Sequence, residues 1–432
     1  MTHDNKLELK PKLRFPDFQD DGPWESKPLD DICDRIVDKI GDAKLTTVSI
    51  TAGRGFVSQT EKFGRNIAGA QYKNYILLQR GDFAYNKGNS NVYPQGCVYR
   101  LKEFDQAAAS NAFICFRLKQ GFAPGFIEGL FQKNTHGRQL VRFLTSGARS
   151  DGLLNIKPAE FFSVRLPIPR RLAEQHKIAD CLSSLDELIA AHGRKLDALK
   201  TQKKGLMQRL FPREGETFPR LRFPEFRDKS AWEIVAFGEM GFDVSDGNYS
   251  SKYPSQSDFV QVGVPFLRAN NLRRGSISDE DMKFISEKQH SEITKGHLKR
   301  GDILLSNRGQ IGSVALVPDR HIGSNINAQL VRINTGSKSD NVFIFQLLDS
   351  FSRNGVFESM STGTALKQLP IGKLNGLELI LPTELKEQRL IASCLSALDD
   401  LIAAQTQKLD ALKTHKNGLM QQLFPSPDEV EV

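Results

Sequence analysis

Apolar residues recur at alternating steps of four and three in two long stretches of this chain, as on a helix that buries one stripe. The first stripe consists of Ile178, Leu182, Leu185, Ile189, Leu196, Leu199, Leu206 and Leu210, and the second of Ile391, Leu395, Leu398, Ile402, Leu409, Leu412, Leu419 and Leu423. His192 and Lys203 interrupt the first stripe, and Gln405 and Lys416 interrupt the second at the same heptad positions. Polar residues placed in this way are typical of a coiled-coil seam whose register is set by polar layers.

The two stretches are copies of each other. Residues 172–212 and 385–425 agree at 29 of 41 positions with an offset of 213. We predict two long helices that pair antiparallel about their middles, with His192 near Gln405 and the two blocks outside the helices at opposite ends. The predicted seam comprises Leu182, Leu185, Ile189, His192, Leu196, Leu199, Leu395, Leu398, Ile402, Gln405, Leu409 and Leu412. The alternative is that each helix packs on its own block as an amphipathic helix.

A shorter repeat precedes each of the two divergent blocks. The opening motif PKLRFPDFQDDGPWE at residues 11–25 resembles PRLRFPEFRDKSAWE at residues 219–233. Each copy contains one of the two tryptophans of the chain. The chain is therefore predicted to be a pseudo-twofold repeat of opening motif, block and helix. The predicted boundaries are 1–169 for the first opening motif and domain, 170–212 for the first long helix, 213–382 for the linker, second motif and second domain, 383–425 for the second long helix, and 426–432 for an acidic tail.

The blocks themselves combine both kinds of secondary structure. Short alternating runs predict strands at residues 96–101, 113–118, 313–317 and 329–334. Longer runs predict helices at residues 123–144 and 341–360. The predicted fold class is α+β, with two α/β domains that have small curved sheets and are joined by two long antiparallel coiled-coil helices.

Length and composition limit the function further. A chain of 432 residues with 39% hydrophobic and 25% charged residues is long enough for two folded domains. Its net charge of +8 and pI near 9.1 favour a polyanionic partner. We expect a cytoplasmic protein, because no apolar run is long enough to cross a bilayer and no signal-peptide core is present. The five scattered cysteines predict neither a disulfide framework nor a zinc site.

Both blocks contain polar loops that follow an Arg-Gly-Asp sequence. RGDFAYNKGNSNVYPQG occupies residues 80–96, and RGDILLSNRGQIGSVALV occupies residues 300–317, followed by GSNINAQ at 323–329. A second shared loop lies at residues 145–158 and 361–373. Arg, Asn and Gln side chains suit base edges, and backbone amides suit phosphates. The predicted DNA contacts are Asn86, Lys87, Asn89, Asn91, Tyr93, Arg149, Asn307, Arg308, Gln310, Asn325, Asn327 and Lys367; ordinary polar surface loops are the alternative.

Sequence motifs of catalysis are not found. The chain has no phosphate-binding GxxxxGK[ST] loop, no HExxH and no GxSxG, and its histidines are not spaced as metal ligands. It also has no Asn-Pro-Pro-aromatic tetrapeptide. We infer that it recognises a partner and does not itself carry out a reaction.

In its full length the chain resembles the specificity subunit of type I DNA restriction-modification systems. The resemblance depends on the segments LPIPRRLAEQHKIADCLSSLDELI and LILPTELKEQRLIASCLSALDDLI, the two Trp-Glu pairs, RGDFAYN and RGDILLS, and the loops SGARSDGLLNI and STGTALKQLPI, found in this order twice. It implies two target-recognition domains that read a bipartite site in double-stranded DNA, with the helix pair fixing the gap between the half-sites.

The resemblance also implies partners. Two modification subunits would bind S-adenosylmethionine and methylate adenine at N6, and restriction subunits would supply an ATP-dependent, Mg-requiring motor and nuclease. This chain would hold no cofactor or metal. A specificity subunit that serves methylation without cleavage is one variant. A non-enzymatic coiled-coil scaffold for proteins and an autonomous nuclease or methyltransferase are the other hypotheses.

Overall fold

The structure is a computed structural model that describes residues 9–88, 93–144, 154–247, 253–273, 275–363 and 367–425. It divides into two compact units, which we call unit 1 (residues 1–194 and 407–432) and unit 2 (residues 195–406). The two boundaries between the units, after residues 194 and 406, lie inside the two long helices. Each unit therefore contains the first half of one long helix and the second half of the other.

The two long helices are present as predicted. Helix α6 spans Leu172–Leu210 and helix α11 spans Leu385–Leu423, each 39 residues long. All twelve seam residues are buried or half-buried. By contrast, Leu188 and Leu401, which lie off the stripe at equivalent positions of the two copies, are 42% and 54% exposed. The stripe is therefore the more buried face of each helix.

Within each unit the two half-helices run antiparallel. In unit 1, Ile178 and Leu182 share a core with Met420 and Leu423. In unit 2, Met207 and Leu210 share a core with Ile391 and Leu395. A low residue number on one helix therefore meets a high residue number on the other, which confirms the predicted direction of pairing. The predicted proximity of His192 and Gln405 concerns residues of different units and stays a prediction.

Lysine and aspartate form a polar layer in each half of the seam. Lys203 Nζ lies 2.7 Å from both carboxylate oxygens of Asp399 in unit 2, and Lys416 Nζ lies 2.6 Å from Asp186 Oδ1 in unit 1. The pairs occupy equivalent positions of the two copies. The predicted polar breaks at Lys203 and Lys416 are thus ion pairs between the helices, and they specify register because a shifted helix would leave them unpaired.

The opening motif of each unit is attached to the start of a long helix by a buried carboxylate. In unit 1, Arg14 donates to both oxygens of Glu174 at 2.7 Å, and Trp24 Nε1 donates to Glu174 Oε1 at 3.1 Å. Glu174 is 1% exposed. An arginine fork and an indole N–H together compensate the burial of the carboxylate charge.

Unit 2 repeats this junction. Arg222 donates to the two oxygens of Glu387 at 2.7 and 2.9 Å, and Trp232 Nε1 donates to Glu387 Oε1 at 3.3 Å. The hydrogen bond with Glu387 raises the pKa of the Arg222 guanidinium. We call these two arrangements the Glu-Arg-Trp junctions. They explain why the opening motif and the helix start are repeated together in the sequence.

The glutamine next to each junction glutamate anchors the block. Gln175 Oε1 accepts from Ala123 N at 2.9 Å, and Gln388 Oε1 accepts from Asp340 N at 2.8 Å. These amides directly precede helix α3 of unit 1 (Pro124–Gln132) and helix α8 of unit 2 (Asn341–Arg353). The Glu-Gln dipeptide of the repeat thus binds the opening motif through its glutamate and the start of helix α3 or α8 through its glutamine.

Unit 1 contains two four-stranded sheets and a short ribbon. Its strands are β1 Glu25–Pro28, β2 Cys33–Arg35, β3 Thr47–Thr51, β4 Gly55–Ser58, β5 Ile76–Gln79, β6 Phe83–Asn86, β7 Cys97–Arg100, β8 Gln106–Ala109, β9 Ile114–Leu118 and β10 Arg165–Ile168. Its other helices are α1 Leu29–Ile32, α2 Gln59–Phe63, α4 Thr135–Leu140 and α5 Pro158–Phe162. The sheet orders are β2-β9-β6-β7 and β4-β3-β8-β5, and β1 pairs with β10.

Unit 2 also contains two four-stranded sheets, together with two short ribbons. Its strands are β11 Glu233–Ala236, β12 Asp243–Asp246, β13 Phe259–Val260, β14 Val264–Leu267, β15 Leu272–Arg273, β16 Ser276–Ile277, β17 Lys283–Ile285, β18 Ile303–Ser306, β19 Val314–Leu316, β20 Asn325–Ile326, β21 Leu330–Asn334 and β22 Glu378–Leu381. Its remaining helices are α7 Glu287–Glu292, α9 Val356–Met360 and α10 Ile371–Asn375. The sheet orders are β12-β21-β18-β19 and β13-β17-β14-β20, with ribbons β11-β22 and β15-β16.

The mixed α+β class and all four predicted strands are confirmed, but each predicted block helix is two helices. The first is interrupted at Asn134, whose φ is 62°, and the second at Gly355, whose φ is 73°. A left-handed residue ends one helix and redirects the chain into the next. The two cores nevertheless form as expected, around phenylalanines such as Phe126 in unit 1 and Phe343 in unit 2.

Replacement of Glu387 by Ala should destabilise unit 2 by about 3–5 kcal/mol, because it leaves the Arg222 guanidinium buried without its carboxylate partner. The matched control is Glu384→Ala, which removes an ion pair with Lys229 whose side chains are 42% and 53% exposed. That change should cost at most about 1 kcal/mol. Urea unfolding measures both, and equal small effects would show that the junction does not hold the unit together.

Candidate nucleic-acid interface

The Arg-Gly-Asp sequences position the predicted loops by a structural aspartate. Asp82 Oδ2 accepts from Gln79 N at 2.6 Å, and Asp302 Oδ2 accepts from Lys299 N at 2.6 Å. Both aspartates are buried and directly precede equivalent strands, β6 and β18. The prediction that the shared motif places the two loops at equivalent points is confirmed.

Side chains from the neighbouring strand donate hydrogen bonds to the carboxylate of each aspartate. Arg117 of β9 binds Asp82 through two hydrogen bonds of 2.7 and 2.8 Å. In unit 2, Asp302 Oδ1 accepts from Asn334 at 2.6 Å and from Arg332 at 3.2 Å. The hydrogen bond with Asp82 raises the pKa of Arg117. These charges are therefore used within the fold.

In unit 2 the two predicted loops lie side by side. Leu369 N donates to Asn307 O at 2.8 Å, and Arg308 and Gln368 form an antiparallel bridge. Gln368 also exchanges backbone hydrogen bonds with Thr362 at 2.8 and 2.9 Å. The loop that carries Lys367 is thus held against the loop that carries Arg308. Two segments that lie about sixty residues apart in the sequence therefore form one polar surface.

A hairpin presents Arg308 and Gln310 in this surface. It connects β18 to β19 and contains two left-handed glycines, Gly309 with φ 73° and Gly312 with φ 84°. Ser306 closes it, since its Oγ accepts from Ser313 N at 2.9 Å and donates to the carbonyl of Gln310. Gln310 and Lys367 are exposed, and Arg308 is half-buried. Side chains that suit groove edges and phosphates are therefore brought together.

The three predicted asparagines of unit 2 are buried. Asn307, Asn325 and Asn327 are 5%, 0% and 4% exposed. Asn325 Oδ1 bonds His290 Nδ1, and His290 stacks on His297 with ring centroids 4.6 Å apart. Asn325 and Asn327 make side-chain hydrogen bonds within unit 2, which indicates a role in holding the loops, whereas Asn307 Oδ1 is buried without a hydrogen-bond partner among the described residues. Direct base contact by these three side chains stays a prediction.

Unit 1 has the same junction of loops. Leu154 N donates to Lys87 O at 2.9 Å, at the position where Leu369 bonds Asn307 in unit 2. Asn86 Oδ1 accepts from Gly88 N at 2.9 Å, which makes a local turn at the end of β6. The predicted contacts Asn89, Asn91 and Arg149 lie outside the described residues.

Aromatic residues pack against the loop at residues 80–96 of unit 1. The Tyr85 hydroxyl donates to Gln95 O at 2.8 Å, and burial raises the pKa of Tyr85. Tyr93 is half-buried, and a hydrogen bond with Tyr93 adds to burial in raising the pKa of Tyr99. The ring of His136 packs edge-on against Tyr85 and Phe131, and its burial lowers the pKa of His136 to about 4.

Sequence reasoning missed one polar side chain of this surface. Gln329 is exposed and directly precedes β21, and its carbonyl accepts from Asn307 N at 3.0 Å. It therefore belongs to the surface formed by Arg308, Gln310 and Lys367. Its place next to the hairpin follows from strand register, which the sequence alone did not define.

Within the described ranges, no group of three or more His, Cys, Asp or Glu side chains is arranged to hold a metal ion. None of the helices described is long and apolar enough to cross a membrane.

Several known proteins are similar to this chain in sequence. A family model described as type I restriction modification DNA specificity domain matches residues 229–414. The type I restriction enzyme MjaVIII specificity subunit of Methanocaldococcus jannaschii is 28% identical over 332 residues, covering 73% of this chain and 76% of that protein. The putative MjaX specificity subunit of the same organism is 27% identical over 424 residues, covering 93% and 92%.

Solved structures show the same fold. The crystal structure of the S subunit of a type I restriction-modification system from M. genitalium aligns with a TM-score of 0.63 and 15% identity over 97% of this chain and 100% of that chain. A structure described as the basis of complex assembly and conformational transition of the type I R-M system aligns with a TM-score of 0.52 and 16% identity, over 94% and 98%.

The described residues form an α+β protein of two repeated units, each with a polar loop surface suited to a nucleic acid. The chain is similar over most of its length to specificity subunits of type I restriction-modification systems, and residues 229–414 match the model of their DNA specificity domain. The resemblance inferred from its repeated motifs is thereby confirmed.

The buried His136 of unit 1 should make the free energy of unfolding depend on pH. Its pKa of about 4 in the fold lies below the ordinary value of 6.5, so the unfolded chain takes up this proton first as pH falls. The free energy of unfolding should therefore decrease between about pH 6.5 and about pH 4, by about 3 kcal/mol in total.

Urea unfolding at about pH 7 and about pH 5 checks this, with His136→Leu as a variant of similar volume that cannot titrate. The loss of stability over this interval should be smaller in the variant by about 2 kcal/mol. An identical loss in both proteins would show that His136 does not titrate as its burial indicates.

Proposed function

We propose that this subunit reads a bipartite site in double-stranded DNA, with one short half-site recognised by each unit. The observation that carries the proposal is the recurrence of one loop junction in both units: Leu154 on Lys87 and Leu369 on Asn307. The backbone arrangement is the same while the side chains differ. Such a plan suits two readers of different sequences on one kind of frame.

The chemistry of the surface supports duplex DNA as the ligand. Arg308 can bridge O6 and N7 of guanine, and Gln310 can bridge N6 and N7 of adenine in the major groove. Lys367, which is exposed, can neutralise a phosphate. The net charge of +8 adds a general attraction to a polyanion.

The chemistry of modification and cleavage is assigned by this proposal to partner subunits. Two modification subunits would bind S-adenosylmethionine and methylate adenine N6, and restriction subunits would use ATP and Mg. The target adenine must leave the base stack to be methylated, so the modification subunits would extrude it while this chain holds the duplex in register. The chain itself would act without catalysis and without a cofactor, in the cytoplasm.

A titration of duplex DNA binding against salt tests the proposal. The full chain in complex with modification subunits should bind a duplex that contains its site, and the affinity should fall by orders of magnitude between about 50 and about 200 mM salt. A coiled-coil scaffold for proteins would show no salt-sensitive binding to duplex DNA. Magnesium or S-adenosylmethionine added to the chain alone tests for an autonomous enzyme, which would cleave or methylate the DNA.

Arg308→Ala should weaken or relax recognition of one half-site by about 1–3 kcal/mol while the other half-site is read as before. Lys87→Ala, the change in the equivalent loop of unit 1, is the matched control and should affect the opposite half-site. Binding to duplexes altered in one half-site at a time measures this. Equal loss at both half-sites would contradict independent readers.

The unread gap between the half-sites should depend on the long helices. Insertion of one heptad into both α6 and α11 adds about 10 Å of helix, which corresponds to about three base pairs of duplex. The preferred gap should lengthen accordingly. Insertion into one helix alone is the control, since it breaks the pairing. An unchanged gap after the double insertion would refute the idea that the helices set it.

A further inference from the structure

We propose that Gln329 is a base-reading side chain of unit 2, selective for adenine, and that Asn327 is its positioning residue. The proposal rests on the proposed function and deepens it, because it names the base and the side chain.

Gln329 lies where the two loops of the surface meet. Its carbonyl accepts from Asn307 N at 3.0 Å, which fixes its backbone to the start of the hairpin. A Cβ built on Gly309 would lie 4.0 Å from Gln329 Nε2. The amide of Gln329 therefore lies alongside the hairpin tip that carries Arg308 and Gln310, and it is exposed there.

Asn327 holds this amide in one orientation. Asn327 Nδ2 donates to Gln329 Oε1 at 2.9 Å, and Asn327 Oδ1 accepts from Gln329 N at 3.1 Å. Asn327 is itself only 4% exposed. A long, exposed side chain that is already ordered loses less conformational entropy on binding than a free one.

In this orientation the side-chain amide of Gln329 keeps one hydrogen-bond donor and one acceptor site available for adenine. Among the described residues, Gln329 Nε2 has no hydrogen-bond acceptor, so it can donate to adenine N7. The carbonyl oxygen has a second lone pair that can accept from the adenine N6 amino group. A bidentate contact of this kind discriminates adenine from the other bases in the major groove.

Unit 1 supplies a comparison for the same position. Strand register pairs Phe83 with Phe116 in unit 1 and Ile303 with Ile333 in unit 2. Four residues before Phe116 and Ile333 stand Ala112 and Gln329, both exposed.

The turn that precedes this position is retained in both units. Ser110 Oγ accepts from Ala112 N at 3.2 Å, as Asn327 Oδ1 accepts from Gln329 N. The frame of the turn is therefore kept, and the side chain it presents differs between the units. This is the behaviour expected of a position that determines specificity.

The test maps adenine methylation genome-wide in cells that contain the full chain with its modification subunits. Gln329→Ala should relax one adenine position of one half-site, with discrimination against other bases there falling on the order of 10- to 100-fold. Gln329→Glu should shift the preference at that position towards cytosine, because a carboxylate accepts from cytosine N4.

Asn327→Asp separates positioning from contact. It removes the Nδ2 donor to Gln329 Oε1 and keeps the acceptor for Gln329 N, so it should relax the same position less than Gln329→Ala. Gln256→Ala, a change at an exposed glutamine elsewhere in unit 2, is the matched control and should leave the motif unchanged.

An unchanged motif in Gln329→Ala would overturn the proposal, and so would relaxation in both half-sites. Loss of methylation at every site, with an unfolding midpoint equal to that of the unaltered chain, would also overturn it. The unaltered chain in the same experiment tests the proposed function separately, since absence of a bipartite motif there would refute DNA reading by the chain as a whole.

Discussion

A buried carboxylate at the start of each long helix is the constraint on which the rest of this structure depends. Glu174 and Glu387 are each 1% exposed. An unpaired carboxylate in such a position would cost several kcal/mol, so each must keep its arginine fork and its indole donor. The opening motif, the strand that follows it and the helix are thereby fixed relative to one another in each unit. The adjacent Gln175 and Gln388 extend the same frame to the helices of the blocks.

Once this frame is fixed, diversity can be confined to the loops at the ends of equivalent strands. Lys87 and Asn307 use the same backbone carbonyl to hold the second loop of their unit, although their side chains differ. Ala112 and Gln329 follow the same kind of side-chain-capped turn. A backbone that is held by main-chain hydrogen bonds and buried contacts tolerates changes of exposed side chains, because surface substitutions usually change stability little. Recognition can therefore change without a change of fold.

The regular parts of this fold could be predicted from the sequence. Helical period and internal repetition define α6 and α11 to within two residues at each end, and alternation finds strands such as β9 and β21. The polar layers at Lys203 and Lys416 were also visible as breaks in the stripe. Their partners, Asp399 and Asp186, were not, because an aspartate off the stripe looks like any exposed helix residue until the pairing register is known.

The candidate surface was predictable only at the level of loops. Composition cannot distinguish an asparagine that is buried to hold a loop, such as Asn325, from one that is exposed, because both occur in polar turn sequences. Gln329 escaped notice since its neighbours across the strands are set by register, which a single sequence does not reveal. The break at Asn134 depends on a left-handed residue within a helical pattern, and propensity alone rarely signals it.

Genome-wide mapping of N6-methyladenine, in cells that express the modification subunits with this chain and in matched cells without it, tests the central claim most directly. Two short specified segments separated by a fixed, unspecified gap should be methylated only when the chain is present. Methylation that does not depend on the chain, or a chain-dependent motif that is one continuous segment, would contradict the account of two independent readers on one repeated frame.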